Sequence, residues 1–460
     1  MLRFLITSLR RRLPVGAQRL LLELATMPLG RRLVRGAAAS LAMTAASVLF
    51  GTASSVLLGR TLGPEGYGLY SFALLVIGIV TVPFWYGMSM LLTRETGHIT
   101  AGGTRADMGV LLGRSYGLAV LVALIEMLLA GAIIWHLQAS LSAPQLWASL
   151  AALPLILLSI LAPLNASVLR GLGGLVRSPF CDLVLRPALA LLALMTILFV
   201  SGWPALTAGS SLLAQVVAVA GAAGLSGVWM LREWRVLPRV RKAGAAAPES
   251  TFSASRLLTF SAFGAVATIY GSIDSLLLGA LEGHASLGIY RISLIAVQLI
   301  SGFIAAITTI VVPTIAKLHA QGDQGRLQRL LTITARATAI LAAPLVLVLI
   351  LFGRPLLTLG FGHVFAQGAS AMAIAAAGQL MAGLAGPVGN VLNMTGHEQL
   401  ALRYLLAGAV ANTVLCLILI PVLGMSGAAL AATTGSLLTN SLMTLNERRL
   451  TGLTSTVFGA

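Results

Sequence analysis

The chain has 460 residues, of which 58% are hydrophobic and only 9% are charged. Soluble domains carry roughly 25% charged residues, and a water-soluble protein of this length needs a polar coat that such a composition does not provide. The net charge of +17 suggests a nucleic-acid partner at first sight. The basic residues, however, lie in short groups between apolar segments, which is the pattern that membrane topology produces.

Apolar segments of about 20 residues, the length that spans a bilayer, recur along the whole chain. They predict an all-α polytopic membrane protein with about twelve transmembrane helices. The predicted spans are 36–59, 67–92, 108–135, 147–168, 183–201, 205–231, 257–281, 287–313, 334–353, 367–393, 402–423 and 425–445.

The distribution of basic residues tests this number of spans. With the N-terminus in the cytoplasm, 27 of the 30 basic residues fall on cytoplasmic segments or cytoplasmic helix ends. Arg60 and Arg354 fall outside, and Arg291 falls within a span. Because one miscounted helix would destroy this alternation, the charges predict twelve spans with both termini cytoplasmic.

The segments outside the predicted spans are short. Residues 1–35 are basic and predict a cytoplasmic N-terminal arm lying on anionic lipid, or else a disordered tail or a start codon placed too early. Residues 232–256 are linker-like and cytoplasmic, and 446–460 form a cytoplasmic tail. The chain therefore divides into an N-terminal six-helix lobe, 36–231, and a C-terminal six-helix lobe, 257–445.

The two halves contain similar hairpin sequences. Residues 58–70 and 278–290 match at a shift of 220, which pairs Leu58, Gly59, Gly63, Gly68 and Tyr70 with Leu278, Gly279, Gly283, Gly288 and Tyr290. Since six spans is an even number, the two lobes share one orientation. This predicts a parallel repeat about an axis along the membrane normal, with a substrate path between the lobes.

Motifs of enzymatic chemistry are absent from the sequence. It has no Walker loop, zinc-binding spacing or Ser/His/Asp cluster, and its six histidines lie near span ends. Cys181 and Cys416 are far apart and read as small apolar residues rather than a disulfide. We therefore expect neither enzyme activity nor a metal or cofactor.

Ionisable residues within spans are costly in lipid and so are the informative candidates. Asp274 in the seventh span and Arg291 in the eighth lie roughly 10 Å and 6 Å from the outer ends of antiparallel neighbouring helices. Their side chains can therefore meet. They form either a structural ion pair or groups of the lumen that bind substrate.

Three further charged residues have two readings each. Glu126, in the middle of the third span, is a candidate for coupling to a proton or cation, or a carboxylate hydrogen-bonded to a neighbouring Ser or Thr. Arg186 either binds substrate in the lumen or extends to the cytoplasmic headgroups. Arg94 forms a gate contact with Glu95 or only sets the topology.

Several of these segments also resemble the polysaccharide flippases, whose superfamily includes multidrug extruders and peptidoglycan-precursor flippases. The first hairpin, Leu57 to Glu95, is similar to theirs, and the other similar segments keep the family's order over roughly 36–445. These are Leu169–Gly173 with Leu185–Pro187, Asp274–Gly279 with Gly288–Tyr290, Gly386–Gly396, and Ile420–Leu430. At 291 the family pattern has a small or neutral residue, whereas this chain has Arg.

The resemblance implies a flippase that moves a lipid-linked glycan precursor, as in lipopolysaccharide synthesis, from the cytoplasmic to the outer leaflet of the inner membrane. Its partners would be the glycan lipid, membrane lipids and a coupling cation, with the chain acting as a monomer or with polysaccharide assembly proteins. A cation-coupled multidrug or small-solute antiporter of the same superfamily is the alternative. A membrane polymerase or ligase fits poorly, because the predicted outer loops are short.

Overall fold

The computed structural model describes residues 28–102, 104–174, 176–201, 206–238 and 254–459, and every regular element in these ranges is helical. Most of the predicted N-terminal arm and most of the predicted linker lie outside the described residues. The junction between the fifth and sixth predicted spans, at 202–205, also lies outside them.

The first half of the chain contributes α1 (Pro28–Gly102), α2 (Arg105–Leu137), α3 (Ala143–Gly171), α4 (Arg177–Phe180), a π-helical turn (Cys181–Leu185), α5 (Arg186–Ser201) and α6 (Ala208–Val236). The second half contributes α7 (Ala254–Glu282), α8 (His284–Ala320), α9 (Gln324–Phe361), a 3₁₀ turn (His363–Gly368), α10 (Ala369–Ala385), α11 (Val388–Met394), α12 (Glu398–Leu423) and α13 (Met425–Thr451).

Ten helical stretches in the described part of the chain are long and apolar enough to cross a membrane. The protein is therefore a multi-pass membrane protein, as the composition predicts. One of the ten, Ala42–Thr100, contains most of the first predicted span and all of the second, whereas α13, which contains the twelfth, is not among them. The number twelve and the cytoplasmic position of both termini stay predictions.

The backbone turns at two equivalent glycines. Gly63, which divides α1 into two segments, has φ 66° and ψ −176°, and Gly283, between α7 and α8, has φ 87° and ψ 178°. Positive φ is easily adopted only by glycine, which explains why both copies of the repeated sequence keep it. We call the end of the bundle that carries Gly63 and Gly283 the hairpin end; by the predicted topology it faces outward.

The two hairpins pack against each other through glycine. A Cβ atom on Gly68 would lie 1.6 Å from the backbone oxygen of His284, and a Cβ on Gly288 would lie 2.0 Å from that of Pro64. The contact is reciprocal at the shift of 220 that relates the two sequences. Only residues without a side chain permit this approach, as in other tightly packed membrane helices.

A second reciprocal contact lies beside the first. A Cβ on Gly59 would lie 2.8 Å from Cδ1 of Ile292, and a Cβ on Gly279 would lie 3.0 Å from Cδ2 of Phe72. The shift of 220 again relates glycine to glycine and Phe72 to Ile292. The repeated hairpins therefore meet about a local two-fold axis, although the division of the whole chain into two six-helix lobes stays a prediction.

Helix α1 carries the contact between the two halves of the chain. Its first segment lies on α8, and its second segment contacts α8 at Gly68 and α7 further along. Toward the opposite end of the bundle, the Tyr86 and Phe263 rings stack with centroids 5.9 Å apart, and a Cβ on Gly87 would lie 2.9 Å from the backbone oxygen of Leu257. The second segment of α1 and α7 therefore stay together along most of their length.

Residues 452–459, part of the predicted tail, fold back onto the bundle. Gln328 on α9 exchanges two hydrogen bonds with the backbone of Thr454, of 2.7 and 2.9 Å. The carboxylate of Glu447, which is fully buried, accepts hydrogen bonds from the backbone N–H and the hydroxyl of Ser455. Composition gave no sign of this docking, because it depends on backbone partners on distant helices.

We expect Gly68→Ala and Gly288→Ala each to lower the midpoint of thermal unfolding in detergent by several degrees. The added methyl group meets a backbone oxygen, so that the hairpins must separate. Gly78→Ala is the matched control on α1, because nothing lies within 4 Å of its Cβ position. Unchanged midpoints for both hairpin variants would contradict the tight contact.

Candidate functional site

A cleft lies between the first segment of α1 and α8, on the side of the glycine contact that faces the middle of the bundle. It encloses about 280 Å³. Gln298 and the hydroxyl groups of α1 supply its polar lining, and the full lining is Ser47, Val48, Gly51, Thr52, Ser55, Ile295, Gln298 and Leu299. The glycine contact closes the cleft toward the hairpin end.

Two tyrosines stand between this cleft and the hairpin end. The Tyr67 and Tyr70 rings lie 6.0 Å apart, and the Tyr67 hydroxyl donates a long hydrogen bond of 3.5 Å to the hydroxyl of Ser55. The Tyr70 hydroxyl accepts a hydrogen bond of 2.8 Å from the side-chain amide of Gln215 on α6. Both rings are buried, and together they form a polar wall between the cleft and the hairpin end.

Arg291 and Arg186 approach this wall from opposite halves of the chain. Both guanidinium groups lie within electrostatic range of the Tyr70 hydroxyl; Arg291 is partly buried, whereas Arg186 is exposed. Arg291 precedes Ile295 and Gln298 by four and seven residues on α8, and this spacing places all three on the face that borders the cleft. Arg186 begins α5 directly after the π-helical turn, a feature often found at functional sites.

The charge near Tyr70 is positive overall. Asp182 lies one turn before Arg186 and interacts electrostatically with Arg186 and with Arg170, so it offsets only part of their charge. Arg291 makes no hydrogen bond or ion pair with any other described residue. A guanidinium group without a hydrogen-bonded or ion-paired protein partner can donate to an anionic ligand.

Asp274 is separated from the cleft. Its carboxylate accepts a hydrogen bond of 2.6 Å from the Tyr290 hydroxyl, and only 6% of the residue is exposed. Tyr290 belongs to an apolar cluster within the second half that includes Cys416 and Ile420. The predicted ion pair with Arg291 is not formed; the two groups interact only at longer range. Successive side chains on a helix point in different directions, so Tyr290 points toward Asp274 while Arg291 points toward the cleft.

Glu126 lies on α2, close to residues that pack toward α3. Its Oε2 atom is buried and has no hydrogen-bond partner in the described part of the chain. The predicted alternative, a hydrogen bond to a neighbouring Ser or Thr, is not formed. A buried carboxylate oxygen without a donor is costly when ionised.

Arg94 is exposed, whereas the neighbouring Glu95 is buried. Neither side chain pairs with the other or with another described residue. The role of Arg94 in a gate stays a prediction. Its exposure agrees with the simpler interpretation that Arg94 is a charge that sets the topology.

Sequence reasoning did not single out Tyr70 as a site residue, although the repeat contained the signal. Tyr70 and Tyr290 are equivalent at the shift of 220, and each buried hydroxyl is hydrogen-bonded to a polar side chain of its own half. The hydrogen bond from Gln215 to Tyr70 and the position of Gln298 in the cleft depend on how α1, α6 and α8 pack.

The fold is similar to those of several solved membrane transporters. An inward-facing multidrug-resistance MATE transporter matches with a TM-score of 0.67 at 13% identity, covering 90% of this chain and 97% of that chain. A MOP superfamily transporter from Pyrococcus furiosus matches with 0.64 at 13% identity, covering 90% and 94%. The lipid II flippase MurJ, in an inward closed conformation, matches with 0.65 at 12% identity, covering 88% and 86%.

The family itself is defined by sequence. Residues 57–369 match the model of the polysaccharide biosynthesis protein family, and the chain belongs to that family. No curated protein sequence matches the chain. The predicted resemblance to polysaccharide flippases and their superfamily is thus confirmed. The structural neighbours named above are transporters and a flippase.

We expect Tyr290→Phe to destabilise the protein by about 1–3 kcal/mol, because it removes the hydroxyl donor of a buried carboxylate. The measurement is unfolding by a denaturing detergent. Tyr404→Phe on α12 is the matched control, since its hydroxyl has no hydrogen-bond partner in the described structure. Equal stability of the two variants would show that Asp274 does not need Tyr290.

Proposed function

We propose that the protein is a flippase that carries a lipid-linked oligosaccharide or polysaccharide precursor from the cytoplasmic to the outer leaflet of the inner membrane. Membership of the polysaccharide biosynthesis family supports a glycan cargo. The shared fold with a lipid II flippase shows that this architecture suits such a task in another protein. Lipopolysaccharide precursors are the cargo that the proposal favours.

The observation that carries the proposal is the pair of arginines beside Tyr70. Lipid-linked glycans hold their sugars on a diphosphate, which is an anion. Guanidinium groups bind phosphate oxygens with directional hydrogen bonds. Arginines within membrane-spanning segments are rare and mark substrate pathways in many transporters.

The packing at the hairpin end supports an alternating-access cycle. The reciprocal glycine contact packs the two hairpins tightly together at that end, so we infer that a headgroup enters the cleft from the opposite end. Separation of the two hairpins would open the cleft toward the hairpin end, and their return would close it. With the predicted topology, this is entry from the cytoplasmic leaflet and release to the outer leaflet.

A cation-coupled multidrug antiporter is the second candidate, because the fold matches a MATE transporter as closely as it matches the lipid II flippase. The charge of the cleft separates the two functions. Cationic drugs would be repelled by Arg186 and Arg291, whereas an anionic lipid would be attracted. The positive charge therefore favours the flippase.

Glu126 is proposed as the group that couples transport to a proton or another cation. Its buried oxygen lacks a donor, and a carboxylate in this setting binds a cation when charged or stays protonated. It lies on α2, away from the arginines, so that binding of the cation and of the substrate need not compete directly.

We expect Arg186→Gln and Arg291→Gln each to reduce lipid translocation by at least tenfold, because each removes a charge-assisted contact to diphosphate worth about 1.5–3 kcal/mol. The assay is proteoliposomes with a polyprenyl diphosphate-linked N-acetylhexosamine, detected by an impermeant lectin. Arg354→Gln, exposed at the hairpin end, is the control and should keep full activity. Export of cationic dyes by a wild-type protein that moves no lipid would establish the antiporter instead.

We expect Glu126→Gln to keep the folded structure but to abolish the response of translocation to an imposed pH or sodium gradient, because the amide carries no exchangeable charge. Glu398→Gln, at an exposed position at the start of α12, is the control. The measurement is the rate of lipid translocation in proteoliposomes with and without each gradient. A gradient response that survives in Glu126→Gln would remove this residue from the coupling mechanism.

A further inference from the structure

A second polar cavity lies within the second half of the chain, apart from the cleft that holds the arginines. It encloses about 380 Å³ between α8, α10 and α11, within the range of roughly 300–1,000 Å³ for small-molecule sites. Its lining consists of Ser301, Ile304, Ala305, Thr308, Gln379, Gly386, Pro387, Gly389, Asn390 and Asn393.

Three side-chain amides determine which kind of ligand this cavity can bind. Gln379, Asn390 and Asn393 have no hydrogen-bond partner among the described residues, and neither has the hydroxyl of Ser301. None of their polar atoms is among those sealed from water. Each amide offers two donors and a carbonyl acceptor, so the cavity presents both kinds of group and leaves them free for a ligand.

The backbone positions these amides. Gly386, with φ 70°, ends α10, and Pro387 leads into α11. Because Asn390 and Asn393 are three residues apart on α11, they project from one face. Helices broken at membrane depth in this way are typical of transporter binding sites.

The cavity carries no charge. No Asp, Glu, Lys, Arg or His is among its lining residues, so an ion would find no countercharge there. A ligand that matches balanced donors and acceptors without charge is a polyhydroxylated, uncharged sugar, including one with acetamido groups. An apolar drug would leave the amides unpaired at a cost of about 1–3 kcal/mol each.

The distance to the arginines suits a second part of the same cargo. Ser301 follows Arg291 by ten residues on α8, which is about 15 Å along the helix axis. A diphosphate held beside Tyr70 would leave an oligosaccharide of a few rings within reach of the amides.

Resting on the proposed flippase function, we propose that Gln379, Asn390, Asn393 and Ser301 form a subsite for the neutral sugars of the lipid-linked glycan, separate from the arginines that hold its diphosphate. Selection among glycans then depends on the amides, and recognition of the lipid carrier depends on the arginines.

The test uses the full-length protein in lipid nanodiscs, with Asn393→Cys as a reporter for a water-soluble maleimide. The native Cys181 and Cys416 are buried, so background labelling is low. The two probes are a polyprenyl diphosphate and the same lipid carrying a neutral oligosaccharide. We expect the glycan-bearing lipid to slow labelling several-fold and the bare lipid to leave it unchanged. Equal protection by the two lipids would overturn the subsite.

Thermal shifts of the wild-type protein with the same two lipids separate the two proposals. If both lipids bind and neither protects Asn393→Cys, the sugar subsite is wrong and the flippase proposal stands. If neither lipid binds, the flippase proposal fails, and the subsite fails with it.

Variants measure the contribution of the amides. Gln379→Leu and Asn390→Leu should each weaken binding of the glycan-bearing lipid roughly three- to tenfold, as expected for one or two lost neutral hydrogen bonds, and should not affect the bare lipid. Asn446→Leu on α13 is the matched control, because that amide donates only to the backbone oxygen of Leu442 in its own helix. Equal losses for both lipids would contradict a sugar-specific role.

Discussion

The close approach of two backbones at the hairpin end is the constraint on which the rest of the structure depends. Gly68 and Gly288 each face a carbonyl of the other hairpin at a distance that no side chain would permit. This contact fixes how α1 lies on α7 and α8, and thereby where the two halves of the chain meet. The cleft, the tyrosines and Arg291 all take their positions from that packing.

Helix α8 directs two residues that are adjacent in sequence to different surroundings. Tyr290 and Arg291 are neighbours, yet Tyr290 turns inward to Asp274 while Arg291 faces the cleft. An ion pair between Asp274 and Arg291 would have neutralised the arginine. The carboxylate of Asp274 instead accepts a hydrogen bond from Tyr290, and the Arg291 guanidinium keeps its donors for a ligand. An anionic cargo is therefore chemically reasonable.

The two polar cavities divide recognition by chemistry. Cationic groups lie near Tyr70, close to the glycine contact, while uncharged amides lie further along α8. A glycan lipid has the same division, with a charged diphosphate next to its carrier and neutral sugars beyond it. Movement of the two hairpins against each other would alter the first cavity most directly, because its wall is built from both halves of the chain.

The sequence by itself determined the helical membrane fold, the family and the repeat at a shift of 220, because hydrophobic length, glycine spacing and motif order are local properties of a chain. It also identified Arg186 and Arg291 through the cost of charge in lipid. Only the tertiary structure decided that both arginines lie within electrostatic range of Tyr70, that Asp274 pairs with Tyr290, and that 452–459 dock on the bundle. These contacts join residues that are far apart in sequence, or they depend on how each helix is rotated about its axis. The hydrophobic pattern does not encode that rotation, because most helices of this chain are apolar on nearly every face.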